Sequence, residues 1–243
     1  MGEFSNKYLV KKPQTAAEKK KSMQDEVLQS LRQRTKERVA AIHDTESRMP
    51  KAQRDAVNAY EKRIQGLKTE RMAIIDQDGR ILNQTTSGSS QKTRLSYQRG
   101  TTYPNAIITH NHPTGKMGDN LAGRVNNTLS YADMNSVIKL NAKGIRVRTQ
   151  GGYKYSVERK GDSWGVDAET IKRELYNLAR KNIDETYNKI RPTIERKLRN
   201  AKSISEYNNI VETYNARMNV AGQHQAMKEL AKKYGFIYTR GKA

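Results

Sequence analysis

Ala106-Ile107-Ile108-Thr109-His110-Asn111-His112-Pro113 carries a mostly apolar run straight into two histidines one residue apart. Ser130-Tyr131-Ala132-Asp133 follows further along the chain. The run 106–109 reads as a buried strand. Alternate residues of an extended chain point to the same side, so His110 and His112 share a face at the C-terminal end of that strand. Asp133 can then complete a three-ligand cup for a divalent metal. Three protein ligands with one position left open is the arrangement of a catalytic zinc site rather than a structural one. The plainer alternative is a loop with two solvated imidazoles.

The contiguous His-Asn-His does not indicate the nuclease type named for those letters, whose residues are spread over a hairpin and a helix. His43 and His224, the other two histidines, sit in helical patterns without acidic or histidine neighbours at ligand spacing. Both read as surface or helix-packing residues.

Composition bounds the rest. The chain has 243 residues, of which 35% are apolar. That is below the roughly 45–50% of average globular domains, a count that includes glycine. Two Phe and one Trp stand against 13 Tyr. A single core of about 100 residues flanked by long helices fits this better than one core throughout. There is no cysteine, so disulfides and thiolate chemistry are excluded and any metal site must be built from histidine and carboxylate. Net charge is +21. Cuts after residues 72 and 164 leave an equal positive surplus in each third, so the charge forms a general surface rather than a tail. Such a surface suits nucleic acid, an acidic protein partner or an anionic membrane, or serves only solubility. No apolar run is long enough to span a bilayer and no signal-peptide core follows the start. A soluble, cytoplasmic protein without a membrane partner is expected. Oligomeric state is left open.

The order of segments follows from periodicity. Residues 1–13 are basic and end in Pro13, predicting a disordered tail. Residues 14–68 form an N-terminal helical segment. Its first stripe is Val27, Leu28, Leu31, Val39 and Ile42. Met49-Pro50 interrupts it, because the residue before proline avoids the helical region. A helix over 51–68 follows, with Ala52, Ala56, Val57, Tyr60, Ile64 and Leu67 on one side. Residues 69–160 make the compact core. Met72-Ala73-Ile74-Ile75 and Ile81-Leu82 flank the hairpin dipeptide Asp78-Gly79. Residues 85–102 and 114–128 read as loops. Ser130 is a candidate N-cap for a helix over 131–142, with Asp133 facing out of its first turn and Gly144 as its C-cap. Ile145–Arg148 and Tyr153–Val157 alternate around Gly151-Gly152 as a closing hairpin. Residues 165–243 form a C-terminal helical segment, with Asp167 as N-cap, Pro192 as a kink and 235–240 as a short edge strand.

His110-x-His112-Pro113 with Ser130-x-x-Asp133 resembles the JAB/MPN (JAMM) metallopeptidase motif. The resemblance covers about residues 68–160. It implies an α/β fold, a compact JAB/MPN-like mixed sheet with a motif helix, here flanked by N- and C-terminal helical segments. The nearest look-alikes are JAB-like domains of phage and mobile-element proteins, including ones attached to minor head proteins. RadC-like domains share the pattern more distantly. Association with a virion would follow by analogy. The family's upstream glutamate, near the end of a helix entering the first core strand, falls on Glu70 in Thr69-Glu70-Arg71-Met72. The gap between His112 and Asp133 is longer than the family's. Its glycine- and asparagine-rich stretch can loop out at little cost, because closure entropy grows slowly with length. Asp119 lies within it as a rival carboxylate, but only Asp133 has the Ser-x-x-Asp spacing and a following amphipathic helix.

The resemblance implies Zn²⁺ held by His110, His112 and Asp133, Glu70 as general base, and Ser130 as a hydrogen-bond donor to the substrate oxyanion. The substrate would be a polypeptide, cut at a peptide or isopeptide bond. Two other functions remain open on the sequence. One is a nucleic-acid-associated phage or mobile-element protein with this fold and no peptidase activity. The other is a metal-dependent nuclease or toxin, for which further metal ligands are not visible.

Overall fold

The computed structural model describes residues 25–33, 37, 46, 48–85, 98, 100–113 and 128–242. The tail 1–13, most of the loops expected over 85–102 and 114–128, His43, Val39, Ile42 and Asp119 lie outside these residues. The chain divides into two units, Met1–Ala40 and Ala41–Ala243. In the first, residues 25–33 are helical, with Val27, Leu28 and Leu31 exposed.

The second unit is α/β. Its elements are α1 (Lys51–Ile64), β1 (Met72–Ile75), β2 (Ile81–Gln84), β3 (Ile107–His112), α2 (Tyr131–Lys139), β4 (Gly144–Thr149), β5 (Tyr153–Glu158), α3 (Ala168–Arg199), α4 (Ile204–Tyr234) and β6 (Ile237–Lys242). The six strands form one mixed sheet in the order β2-β1-β3-β4-β5-β6. All neighbours are antiparallel except β3 and β4, which are parallel and joined through α2. A parallel pair needs such a crossover.

The sheet is covered on both faces except at its edge strand β2, where Ile81 and Leu82 are exposed. Alternation sends Ala73, Ile75 and Ile107 to one face, where Val57, Tyr60 and Ile64 of α1 pack with Met49. Burying Val57 and Ile64 contributes about 1.5–3 kcal/mol each relative to exposure. Met72, Ile74, Ile108, Ile145 and Val147 point to the other face. There they join Met134 and Val137 of α2, Ile171 and Leu175 of α3, Met227 and Leu230 of α4, and Trp164 and Phe236. The C-terminal helices therefore belong to the sheet's own core, and β6 pairs along the whole of β5.

Several local expectations change. The helix expected over 51–68 ends at Ile64, and Leu67 beyond it is exposed. The helix expected over 131–142 ends at Lys139, and the left-handed residue after it is Asn141, at φ 45°. Gly144 does not cap that helix; it opens β4. A Cβ there would lie 2.6 Å from the Val157 carbonyl oxygen, so close strand approach, not a left-handed turn, demands glycine. Gly79 is left-handed, at φ 82°, as the hairpin dipeptide requires. The long C-terminal helical pattern is two helices. Asp167 caps α3, Ser203 caps α4, and Pro192 lies inside α3.

Candidate metal centre

The last three residues of β3 build the centre. His110 pairs in register with Met72 of β1 and Val147 of β4, and His112 with Thr149. Both rings leave the same face of the strand, and their Nε2 atoms stand 3.0 Å apart. His110 is fully buried.

The start of α2 supplies the carboxylate. Ser130 is extended (φ −98°, ψ 169°) and forms a capping box with Asp133. Its N–H donates to Asp133 Oδ2 at 2.6 Å and its hydroxyl donates to the same oxygen at 2.8 Å. Its Oγ accepts from the Asp133 N–H at 3.2 Å. Oδ2 is thus occupied with the helix's own first turn. Oδ1 faces His110 Nε2 at 2.9 Å, and His112 Nε2 lies 3.7 Å from Oδ2. Asp133 does not face out of the first turn, since the two capping bonds draw it into the histidines and it is buried.

Glu70 enters from a third direction. It lies past the end of α1, in the connection to β1, rather than at a helix end. Its carboxyl oxygen and the two imidazole nitrogens lie within 4.8 Å of one another, and Glu70, His110 and His112 can hold a metal ion. Donor atoms about 2.1 Å from one tetrahedral ion stand roughly 3.4 Å from each other. His110 Nε2 stands 3.0 Å from His112 Nε2 and 2.9 Å from Asp133 Oδ1, somewhat inside that value, while His112 Nε2 lies 3.7 Å from the other oxygen, Oδ2. Imidazole and carboxylate donors of this kind suit a small divalent cation, and Asp133 stands against His110 beside the Glu70, His110 and His112 group.

The electrostatics point the same way. Burial alone would lower the basicity of His110, but Asp133 outweighs it and holds the imidazole above its ordinary pKa. Burial, aided by the charge on His110, pushes His112 down to about 4, against a weaker pull from Asp133. Burial would raise Asp133, yet the two histidines and the Ser130 N–H hold it well below the usual carboxylate range. Burial raises Glu70 to about 7; the charge on Asp133 adds to the rise and His110 opposes it. Asp133 thus favours positive charge on His110, while burial disfavours it on His112. The Nδ1 atom of His110 is buried without a hydrogen-bond partner among the described residues. Its Nε2 atom is the one turned to His112 and Asp133.

A groove of about 490 Å³ opens beside Ser130. Tyr131, Leu175, Tyr176, Ala179 and Ile183 line it, together with Arg180, Asn219 and Gln223. Most of these residues belong to α3 and α4, outside the segment that carries the motif. No local pattern marked them, because only long-range packing brings these helices to α2. Asn111 was equally silent in sequence; it occupies the strand face opposite the histidines and is fully buried. His224 packs as expected for a helix-packing residue, with Nδ1 2.9 Å from the Tyr238 hydroxyl.

No family model, curated protein or solved structure matches the chain.

Proposed function

We propose that the protein is a zinc-dependent hydrolase of peptide or isopeptide bonds, of the JAB/MPN (JAMM) type. One observation carries the reading: the Glu70 carboxyl and the imidazole nitrogens of His110 and His112 lie within 4.8 Å of one another, with Asp133 Oδ1 2.9 Å from His110 Nε2. Two imidazoles and a carboxylate are a donor set suited to zinc. Bound there, zinc would supply Lewis acidity and a water acidified toward neutrality.

The chain's own residues supply the rest. Glu70, raised to about 7, can take up and release a proton near neutral pH, as a general base that becomes a general acid must. Ser130 has a single hydroxyl proton, which Asp133 Oδ2 accepts; it reaches a substrate oxygen by exchanging that partner. The groove beside Ser130 offers an apolar wall to residues flanking the scissile bond.

Elemental analysis of the purified protein beside His110→Ala/His112→Ala tests the reading. About one zinc per chain, lost in the double variant, is expected, followed by amide hydrolysis that disappears in Glu70→Gln. A wild type that neither contains nor takes up zinc would end it. The net charge of +21 supports a second reading, a nucleic-acid-associated protein. α3 alone exposes Lys172, Arg173, Arg180, Lys181, Lys189 and Arg191. DNA binding with a steep salt dependence that survives His110→Ala would favour it.

A further inference from the structure

We infer that Asn111 is a positioning residue that sets the direction of Glu70, an inference that rests on the hydrolase reading above. Strand alternation sends His110 and His112 to one face of β3 and Asn111 to the other, toward α1. Its carboxamide meets the connection that carries Glu70. Oδ1 accepts the Arg71 N–H at 2.7 Å. Nδ2 donates to the Thr69 carbonyl at 3.1 Å and to the Leu67 carbonyl at 3.4 Å. The Asn111 backbone N–H also donates to the Arg71 carbonyl at 3.3 Å.

These contacts have a specific geometric effect. The Thr69 carbonyl belongs to the peptide group before the Glu70 Cα, and the Arg71 N–H to the peptide group after it. One buried amide therefore grips both peptide planes that flank Glu70. Fixing both planes fixes φ and ψ, and with them the direction of the Cα–Cβ bond. Only side-chain rotamers remain. The grip needs an acceptor and a donor on one short planar group, which asparagine supplies and aspartate, leucine and serine do not. The strand that presents the two histidines thus also sets where the Glu70 carboxyl stands relative to them.

A double-mutant cycle on zinc affinity, measured by competition with a chelator, tests this in the full chain. Asn111→Leu keeps the size and removes both the donor and the acceptor; Asn111→Ser is the milder variant should the first fold poorly. Groups around a metal typically cost about 10–100-fold in affinity when lost. Asn111→Leu and Glu70→Ala are each expected to fall in that range, and the double variant to be no weaker than Glu70→Ala alone. An Asn111→Leu effect that persists undiminished in the Glu70→Ala background would overturn the inference. A general structural role would give that additive result. Hydrogen exchange in metal-free protein supplies the second readout. The Arg71 amide is expected to exchange at least about tenfold faster in Asn111→Leu while Ile74 and Val147 stay unchanged. An unchanged Arg71 amide would overturn the inference even if the wild type bound no zinc, whereas absence of zinc by itself would defeat only the hydrolase reading.

Discussion

Glu61 should be among the costliest single residues to remove, and the structure says by how much. It is fully buried on α1 and accepts four hydrogen bonds across the sheet. Arg146 donates from Nε at 2.7 Å and from Nη2 at 3.1 Å, Arg148 from Nε at 2.9 Å, and Thr109 from its hydroxyl at 3.1 Å. A carboxylate has about four lone-pair sites, so this one is saturated. Arg146 and Arg148 are themselves buried, and Arg146 has a further partner in Glu46 at 3.1 Å. Glu61→Leu leaves the Arg148 guanidinium facing an apolar side chain and Arg146 with Glu46 and Asn58 as its remaining partners. Removing one partner from a buried pair costs about 3–5 kcal/mol, because the charge left behind is uncompensated. Urea unfolding followed by circular dichroism should read that loss. The triple variant Glu61→Leu/Arg146→Met/Arg148→Met removes the orphaned charges too. It should return to within about 1–2 kcal/mol of wild type or exceed it, since well-packed apolar groups often replace a buried ion cluster without loss. A single-variant loss below about 1 kcal/mol would refute the reasoning, because the cluster would then be open to water. A triple variant as unstable as the single would refute the compensation argument.

The same carboxylate predicts an acid limb. Burial raises Glu61, but Arg146 and Arg148 hold it below its ordinary value of 4.5, so its contribution is complete above that pH and fades as pH falls through the folded value; in Glu61→Leu the slope of stability against pH below about 4.5 should flatten. Zinc affinity should rise with pH through neutrality, because Asp133 holds the His110 proton in place and the metal must displace it; chelator competition at three pH values that shows no rise would contradict this. Ser130→Ala removes the cap side chain and one of the bonds that turn Asp133 inward; a loss of about 1 kcal/mol in stability is expected, with weaker zinc binding alongside. Gly144→Ala would put a Cβ 2.6 Å from the Val157 carbonyl oxygen; thermal unfolding should report a loss of roughly 1–3 kcal/mol from overpacking.

Much of the site could be read from local pattern. His110 and His112 share a face because strand period is two, and an apolar run before them marks the strand. Ser130 and Asp133 stand three residues apart at a helix start, the spacing of a capping box, and the bonds that close the box also turn Asp133 toward β3. Asp78-Gly79 and Gly151-Gly152 made their hairpins legible for the same short-range reason. Glu70 was harder. Gly66 marks the end of α1, but the placement of Glu70 depends on a connection held by Asn111, about forty residues away. The Glu61 cluster was not legible at all. Its partners are Thr109, Arg146 and Arg148, and Arg146-Val147-Arg148 reads as the solvated side of an alternating strand. Only α1 lying across that face makes those arginines internal. Gly144 misled because a glycine after a helix usually caps it, whereas here the crowding comes from β5, across the sheet.

The pairing of β6 with β5 has a consequence in time. Residues 159–236 separate the two strands. At about 5–20 residues per second of synthesis, that stretch takes on the order of 4–16 s. Throughout that interval β5 can already form its hairpin with β4 but has no neighbour on its outer side. Its unpaired N–H and C=O groups, on a strand bearing Tyr153, Tyr155 and Val157, form a template that another nascent chain can join. The delay makes this edge the point at which chains crowded on one messenger would be most prone to swap strands.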